Sequence, residues 1–244
     1  MNTIKELILQ QKQITDRTFE FAAHRYEISK QDFLDLLKLI AEQKLSERKS
    51  FVDFIFDKDN QEVIDLLYEY AIIDNTRLNC AIGIILNGKF GCGKSILMSA
   101  FCALLNKINA GSQNIPIKEY HAIELCELII ENGTKNYARI PLLIQDIGKE
   151  PKIIKDYGNE KNPLRELLFL RAEYGTLTFG TTNYSADTFE KEYPDFKTTI
   201  QKEKGVVETI TQKSGRIFEH VNFIYLPGEN RRQNFSINQD KIGK

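Results

Sequence analysis

Residues 82–95 read Ile-Gly-Ile-Ile-Leu-Asn-Gly-Lys-Phe-Gly-Cys-Gly-Lys-Ser, and they narrow the folds open to this chain more than any other stretch. A strand-like apolar run leads straight into G-x-x-x-x-G-K-S, and a helix-like run from Ile96 to Lys107 follows. That order is the context a phosphate-cradling loop requires. Glycines let backbone N–H groups curl around phosphate oxygens with no side chain in the way. The helix that follows points its positive N-terminus at the same anion. Gly88, Lys89, Phe90, Gly91, Cys92, Gly93, Lys94, Ser95 and Ile96 are therefore the candidate nucleotide-binding residues. Lys94 is expected to reach the β- and γ-phosphates and Ser95 to ligate Mg²⁺. A glycine-rich structural turn without a ligand is the bland alternative, and the full motif on its strand–helix frame argues against it.

The 244 residues suit one α/β core with a small extra module. A net charge of −1 gives no global basic field, so any nucleic-acid contact must come from a local patch. Cys80, Cys92, Cys102 and Cys126 form no C-x-x-C pair, which argues against zinc. Cys92 sits in the phosphate loop and Cys102 on the helix behind it, so disulfides are not expected and a reducing cytoplasm fits best. No apolar run approaches a membrane span, and the charged, glutamine-rich start does not read as a signal peptide.

The chain divides near residue 78. Residues 1–77 read as a helical module with a possible partner-docking role, and residues 78–244 as the nucleotide-binding core. In the first part Ile4, Leu7, Ile8 and Ile14 recur at helical spacing. Ser29-Lys30-Gln31-Asp32 resembles a capping box opening a run with Phe33, Leu34, Leu37 and Ile40 on one side. Asn60 to Ile72 reads as a further helix, and Phe51, Phe54, Ile55 and Phe56 form an aromatic cluster between the two. Packing on itself or on the core is the plainer role for this module, and docking to another protein is the sharper one. Beyond Leu78 strands and helices alternate, which predicts a parallel sheet covered by helices. The expected strands are Ile82–Asn87, Ile117–His121, Ile140–Gln145, Leu177–Thr181 and Val221–Leu226. The expected helices are Ser95–Lys107, Ile123–Glu131, Pro163–Tyr174 and a long one within Thr198–Glu219. Asn132-Gly133 and Pro163 supply the stop and start signals.

Hydrolysis of a bound nucleotide calls for an acid at the end of a neighbouring buried strand. Pro141-Leu142-Leu143-Ile144-Gln145-Asp146 provides one, and Asp146 can hold Mg²⁺ or polarise the attacking water. Glu150 either reaches the site or caps its loop. The next strand ends Thr181-Thr182-Asn183, where parallel sheets bind ligands, and Asn183 is placed to hydrogen-bond a γ-phosphate or the lytic water. Arg216 in Gly-Arg-Ile-Phe-Glu, and Arg231 and Arg232 after the last strand, are candidates for stabilising γ-phosphate charge. Lys149, Lys152, Lys155 and Lys161, interleaved with Tyr157, could meet nucleic acid. The acids Glu150, Asp156 and Glu160 dilute that patch, and a solvated loop is the plainer reading.

Taken together, GIILNGKFGCGKSILM, PLLIQDIGKEP, FGTTNY, and GRIFE followed by LPGENRR resemble the AAA+ ATPases of the DnaC-like helicase-loader group, which also includes ATP-binding partners of insertion-sequence transposases. The resemblance spans roughly residues 80 to 232. It implies an AAA+-type P-loop sheet, ATP and Mg²⁺ as cofactors, and an ATPase acting in DNA replication. Lys94 and Ser95 match the Walker A residues, Asp146 an acid of Walker B, and Asn183 the sensor of the γ-phosphate. Arg216 matches the arginine finger, which in this group acts on a neighbouring subunit's nucleotide. A replicative helicase or a transposase, single- or double-stranded DNA, and self-association through the nucleotide site are the implied partners.

Two departures stand out. The group commonly has two consecutive acids after the apolar strand, whereas this chain has Gln145-Asp146. If Gln145 replaces the magnesium-linked acid, hydrolysis is expected to be slow or absent, because an amide brings no negative charge. Few residues follow Leu226, so a full helical lid is not expected and a shortened one is. Besides the helicase loader, the sequence leaves open a transposition ATPase, a non-hydrolysing nucleotide-gated binding module and, least favoured, a small-molecule kinase. The segment from Thr198 to Gly205 suggests no function.

Overall fold

The computed structural model describes residues 27–49, 53–109, 115–151, 154–156, 159–194, 196–201, 207–212 and 215–231. The helical reading of residues 4–14, and Phe51, Lys152, Tyr157 and Arg232, lie outside this set.

Five strands form one parallel sheet: β1 (Gly83–Asn87), β2 (Lys118–His121), β3 (Leu142–Ile147), β6 (Thr178–Thr182) and β9 (Val221–Tyr225), in the order β2-β3-β6-β1-β9. All five coincide with expected strands to within two residues. β1, β6 and most of β3 are buried throughout, which is why they read as continuous apolar runs rather than alternating ones. The strand feeding the phosphate loop and the strand carrying Asp146 are separated by β6, whose end carries Asn183. Three adjacent strands thus bring the phosphate loop, Asp146 and Asn183 to one end of the sheet.

Helices cover both faces. On one side lie α1 (Lys30–Glu47), α2 (Gln61–Ala71) and α3 (Lys94–Ile108), packed with Ile84, Leu86, Leu143 and Phe179 of the sheet. On the other lie α4 (Ala122–Asn132), the single turn α5 (Lys135–Ala138), α6 (Pro163–Glu173), α7 (Ala186–Glu192) and α8 (Gly215–Glu219), over Ile85, Leu142 and Ile144. The alternation of Ile84, Ile85 and Leu86 between the two cores is the period-2 pattern of a strand covered on both faces.

The two N-terminal helices share a core with the phosphate-loop helix. Ser29 caps α1 by accepting from the Asp32 N–H at 3.1 Å. Phe33 then reaches Phe101 of α3 at 6.4 Å and Tyr68 of α2 at 5.4 Å between ring centres. Tyr70 stacks edge-on against Phe101 and Phe179, both at 5.9 Å, and its hydroxyl donates to the Ile82 carbonyl just before β1. Each such ring contact adds about 0.5–1.5 kcal/mol to its area burial.

One expected element is replaced. The long helix read within Thr198–Glu219 is instead an antiparallel hairpin, β7 (Phe196–Gln201) with β8 (Val207–Gln212), followed by the short α8. Thr198, Thr199, Ile200, Val207, Thr209, Ile210 and Thr211 are β-branched residues that lose side-chain freedom in a helix and fit a pleated strand. A second small hairpin, β4 (Ile154–Asp156) with β5 (Asn159–Lys161), follows the Asp146 loop. No described helix is long and apolar enough to cross a membrane.

Candidate functional site

The phosphate loop leaves β1 at Asn87 and enters α3 at Lys94. Gly91 and Gly93 have φ of 81° and 102°, a left-handed backbone that only glycine adopts without strain. The Lys94 ammonium is nearly buried and donates to the carbonyls of Gly88 (2.8 Å) and Lys89 (2.7 Å). Burial pulls its pKa down, with Cys92 and Asp146 pulling the other way. An arriving polyphosphate would give this desolvated cation the counter-charge it lacks.

A cavity of about 740 Å³ opens over the loop, the size of a small-molecule site. Phe90, Gly91, Cys92, Gly93, Lys94, Ser95 and Ile96 line it, together with Asp146 and Asn183. Gly88 and Lys89 stay outside the lining: the Gly88 carbonyl serves Lys94, and the Lys89 ammonium pairs with Glu229 at 2.6 Å. The described part of the N-terminal segment closes the far side of the cavity through Arg48, Lys49, Phe54 and Ile55. Phe54 and Ile55 come from the aromatic cluster that the sequence shows, but no motif tied it to the phosphate loop, and Arg48 and Lys49 carried no signal at all.

Asp146 sits at an irregularity in β3, where the register against β6 shifts between Ile144 and Ile147. Its φ is 59°, rare for a residue with a side chain and a form of strain found at functional sites. Its N–H donates to Thr181 Oγ1 at 2.9 Å, and its carboxylate pairs with Lys149 at 2.7 Å. Lys149 therefore belongs to the cavity, and its ammonium lies 5.8 Å from the Phe90 ring centre. Glu150 turns away: it accepts from the Gly148 N–H at 2.7 Å and from the Tyr193 hydroxyl, and it caps the loop.

Gln145 is fully buried and makes three hydrogen bonds. Its Nε2 donates to the Ser95 carbonyl and to Glu119 Oε1, both at 3.1 Å, and its Oε1 accepts from Thr181 at 2.8 Å. Arg231 lines the cavity and is held by Asp57 at 2.5 and 3.0 Å; that hydrogen bond keeps the Asp57 pKa below its ordinary value. Arg216 lies outside the cavity, on α8, bound to Glu173 at 2.5 Å and over the Phe169 ring.

The donor set suits magnesium better than a caged metal. Among the described residues no three His, Cys, Asp or Glu side chains cluster to hold an ion. One hydroxyl (Ser95) and one carboxylate (Asp146) on the same cavity match an ion that keeps waters and takes its other ligands from phosphates.

A five-stranded parallel sheet with this loop and this acid defines the P-loop α/β class of nucleotide-binding domains. No family model and no curated protein matches the chain. Among solved structures it is similar to a candidate primosome component from Streptococcus pyogenes serotype M3, at 20% identity over 74% of this chain and 86% of that one, with a TM-score of 0.47. The DnaC helicase loader is similar at 17% identity, over 71% and 93% of the two chains, with a TM-score of 0.47. AMPPCP-bound DnaA from Aquifex aeolicus is similar at 15% identity, over 73% and 50%, with a TM-score of 0.43.

Proposed function

We propose that this chain is a magnesium-dependent ATPase of the DnaC-like loader type, acting in DNA replication by coupling nucleotide state to its hold on a helicase and on single-stranded DNA. The observation that carries the catalytic half is the convergence of Lys94, Ser95, Asp146 and Asn183 on one cavity from three adjacent strands. The loader half rests on the motif resemblance, from the Walker A segment through GRIFE to LPGENRR.

In this reading the loop amides and the N-terminus of α3 bind the phosphates, and Lys94 leaves the Gly88 and Lys89 carbonyls for the β- and γ-phosphate oxygens. Magnesium, held by Ser95 and Asp146, would offset phosphate charge. Asp146 orients the attacking water, and Lys149 sets how much negative charge that carboxylate can offer. Asn183 donates its amide to the γ-phosphate or to the water. Arg216 lies outside its own chain's cavity, so its action on a nucleotide requires a neighbouring copy.

A non-hydrolysing, nucleotide-gated binder is the second reading, favoured by Gln145 standing where an acid is expected. Phosphate release from Mg²⁺·ATP separates the two, measured for wild type and Lys94→Ala with and without single-stranded DNA, with nucleotide binding followed in parallel. Turnover that depends on Lys94 and responds to DNA is the expected result. Binding without turnover in every condition would establish the gated binder instead.

A further inference from the structure

Position 145 looks from the sequence like an acid site that has lost its acid. The geometry gives it a different role. The Ser95 carbonyl can only accept, so the Gln145 nitrogen must face it, and the second hydrogen of that amide reaches Glu119. No carboxylate at position 145 could make either bond. On its other side the Gln145 oxygen accepts from the Thr181 hydroxyl, whose oxygen in turn accepts the N–H of Asp146. Every donor and acceptor in this chain runs in one consistent direction.

Glu119 anchors its far end. It stands on β2, the edge strand beside β3, with its side chain about one third exposed. It accepts from Ser99 at 2.6 Å, one turn beyond Ser95 on α3, as well as from Gln145 at 3.1 Å. Lys44 of α1 approaches the same carboxylate at 3.4 Å.

We infer that Glu119 is a positioning residue for the nucleotide site: with Gln145 as intermediary it fixes the first turn of α3, which carries Ser95, and the strained backbone of Asp146. Glu119 with Gln145 thus braces both groups through donor bonds that a carboxylate at position 145 could not make. This rests on the ATPase reading above, because the two groups it positions are the two assigned to magnesium.

The test uses the full chain and two variants, Glu119→Ala and Gln145→Asp. Binding of a fluorescent ATP analogue is titrated with and without Mg²⁺, alongside phosphate release and thermal melting. Outer-shell partners of a metal site are typically worth about 10–100-fold in metal affinity or activity. Glu119→Ala should therefore keep its Mg²⁺-free affinity within about twofold of wild type while losing about tenfold in the tightening that Mg²⁺ provides, and as much in turnover. A general packing role would weaken both affinities together. Gln145→Asp puts a carboxylate against both Glu119 and the Ser95 carbonyl and should lose turnover and Mg²⁺ tightening alike.

A folded Glu119→Ala protein with wild-type Mg²⁺ tightening and turnover would overturn the inference and leave the ATPase reading intact. So would faster turnover in Gln145→Asp, which would mark position 145 as a degraded acid site. Should wild type bind Mg²⁺·ATP without turning it over, the Mg²⁺ tightening alone decides. Failure of wild type to bind nucleotide at all would overturn the ATPase reading, and this inference with it.

Discussion

Strands β3 and β6 are tied together by buried polar groups at both ends, and the two ties differ in kind. At the N-terminal end the guanidinium of Arg171, fully buried, donates to the carbonyls of Tyr137 (2.5 Å), Ile140 (2.7 Å) and Leu177 (2.5 Å) and to Thr178 Oγ1 (3.0 Å). At the C-terminal end Gln145, Thr181 and Glu119 form a neutral-and-anionic network bordering the nucleotide cavity. The first gathers backbone carbonyls from α5 and from the approaches to β3 and β6, and it touches no cavity assigned a ligand. The second touches the two residues assigned to magnesium. Residues that look alike as buried polar groups thus divide by which end of a parallel strand they occupy, since ligands bind at the carboxyl ends.

The contrast can be broken by experiment. Arg171→Met should have the largest effect, because the Tyr137, Ile140 and Leu177 carbonyls all lose its guanidinium. A loss of roughly 3–5 kcal/mol in denaturant unfolding is expected, with nucleotide affinity unchanged wherever the protein is still folded. Equal damage to affinity would erase the distinction between the two ends. Lys94→Ala should do the reverse: nucleotide affinity falls by about 100-fold, while the melting temperature drops by no more than about 3 °C. Isothermal titration and a thermal melt on one sample check both halves.

Thr181→Val is the intermediate case. It keeps the shape of the strand but removes the hydroxyl between Gln145 and the Asp146 N–H, so about 1–2 kcal/mol of stability should go, together with a severalfold loss of turnover. Stability loss alone would make the C-terminal network as purely structural as the Arg171 clamp. The smallest effect is expected at Asp57, outside both ties. Its pKa is lowered in the folded state by the Arg231 hydrogen bond, so the pair stabilises above the unfolded value of 3.8 and the contribution is lost as pH falls through the lower folded value. The stability gap between wild type and Asp57→Asn should hold steady from neutral pH down to about 5, at under about 1 kcal/mol, and close below the ordinary carboxylate pKa.

Much of this was legible in the sequence because the central strands are buried on both faces and the phosphate loop has a fixed length. Leu142 to Ile144 could hardly be anything but a buried strand before an acid. The β7–β8 hairpin was not legible: Gln201-Lys202-Glu203-Lys204 has the charge pattern of an exposed helix, and the β-branched residues on either side decided otherwise. Glu119 was invisible for another reason. It lies on a short edge strand with no motif around it, and its contact with Gln145 is a diagonal one, two residues along β3 from its register partner Leu143. Gln145 was visible as a missing charge, while the two hydrogen bonds its amide donates came only from the packing of β2, β3 and α3.

Gly91 shows how far a motif can hide a second constraint. A Cβ there would lie 2.0 Å from the Asn230 side-chain oxygen, and the Gly91 carbonyl accepts the N–H of Arg231 at 3.0 Å. The loop that would hold phosphate is thus seamed to the strand exit some 140 residues later, which also places Arg231 in the cavity. A change in the loop's shape on nucleotide entry would tug on that seam directly, with no hinge between. The chain's last described residues are therefore bonded to the loop as well as forming a wall beside it.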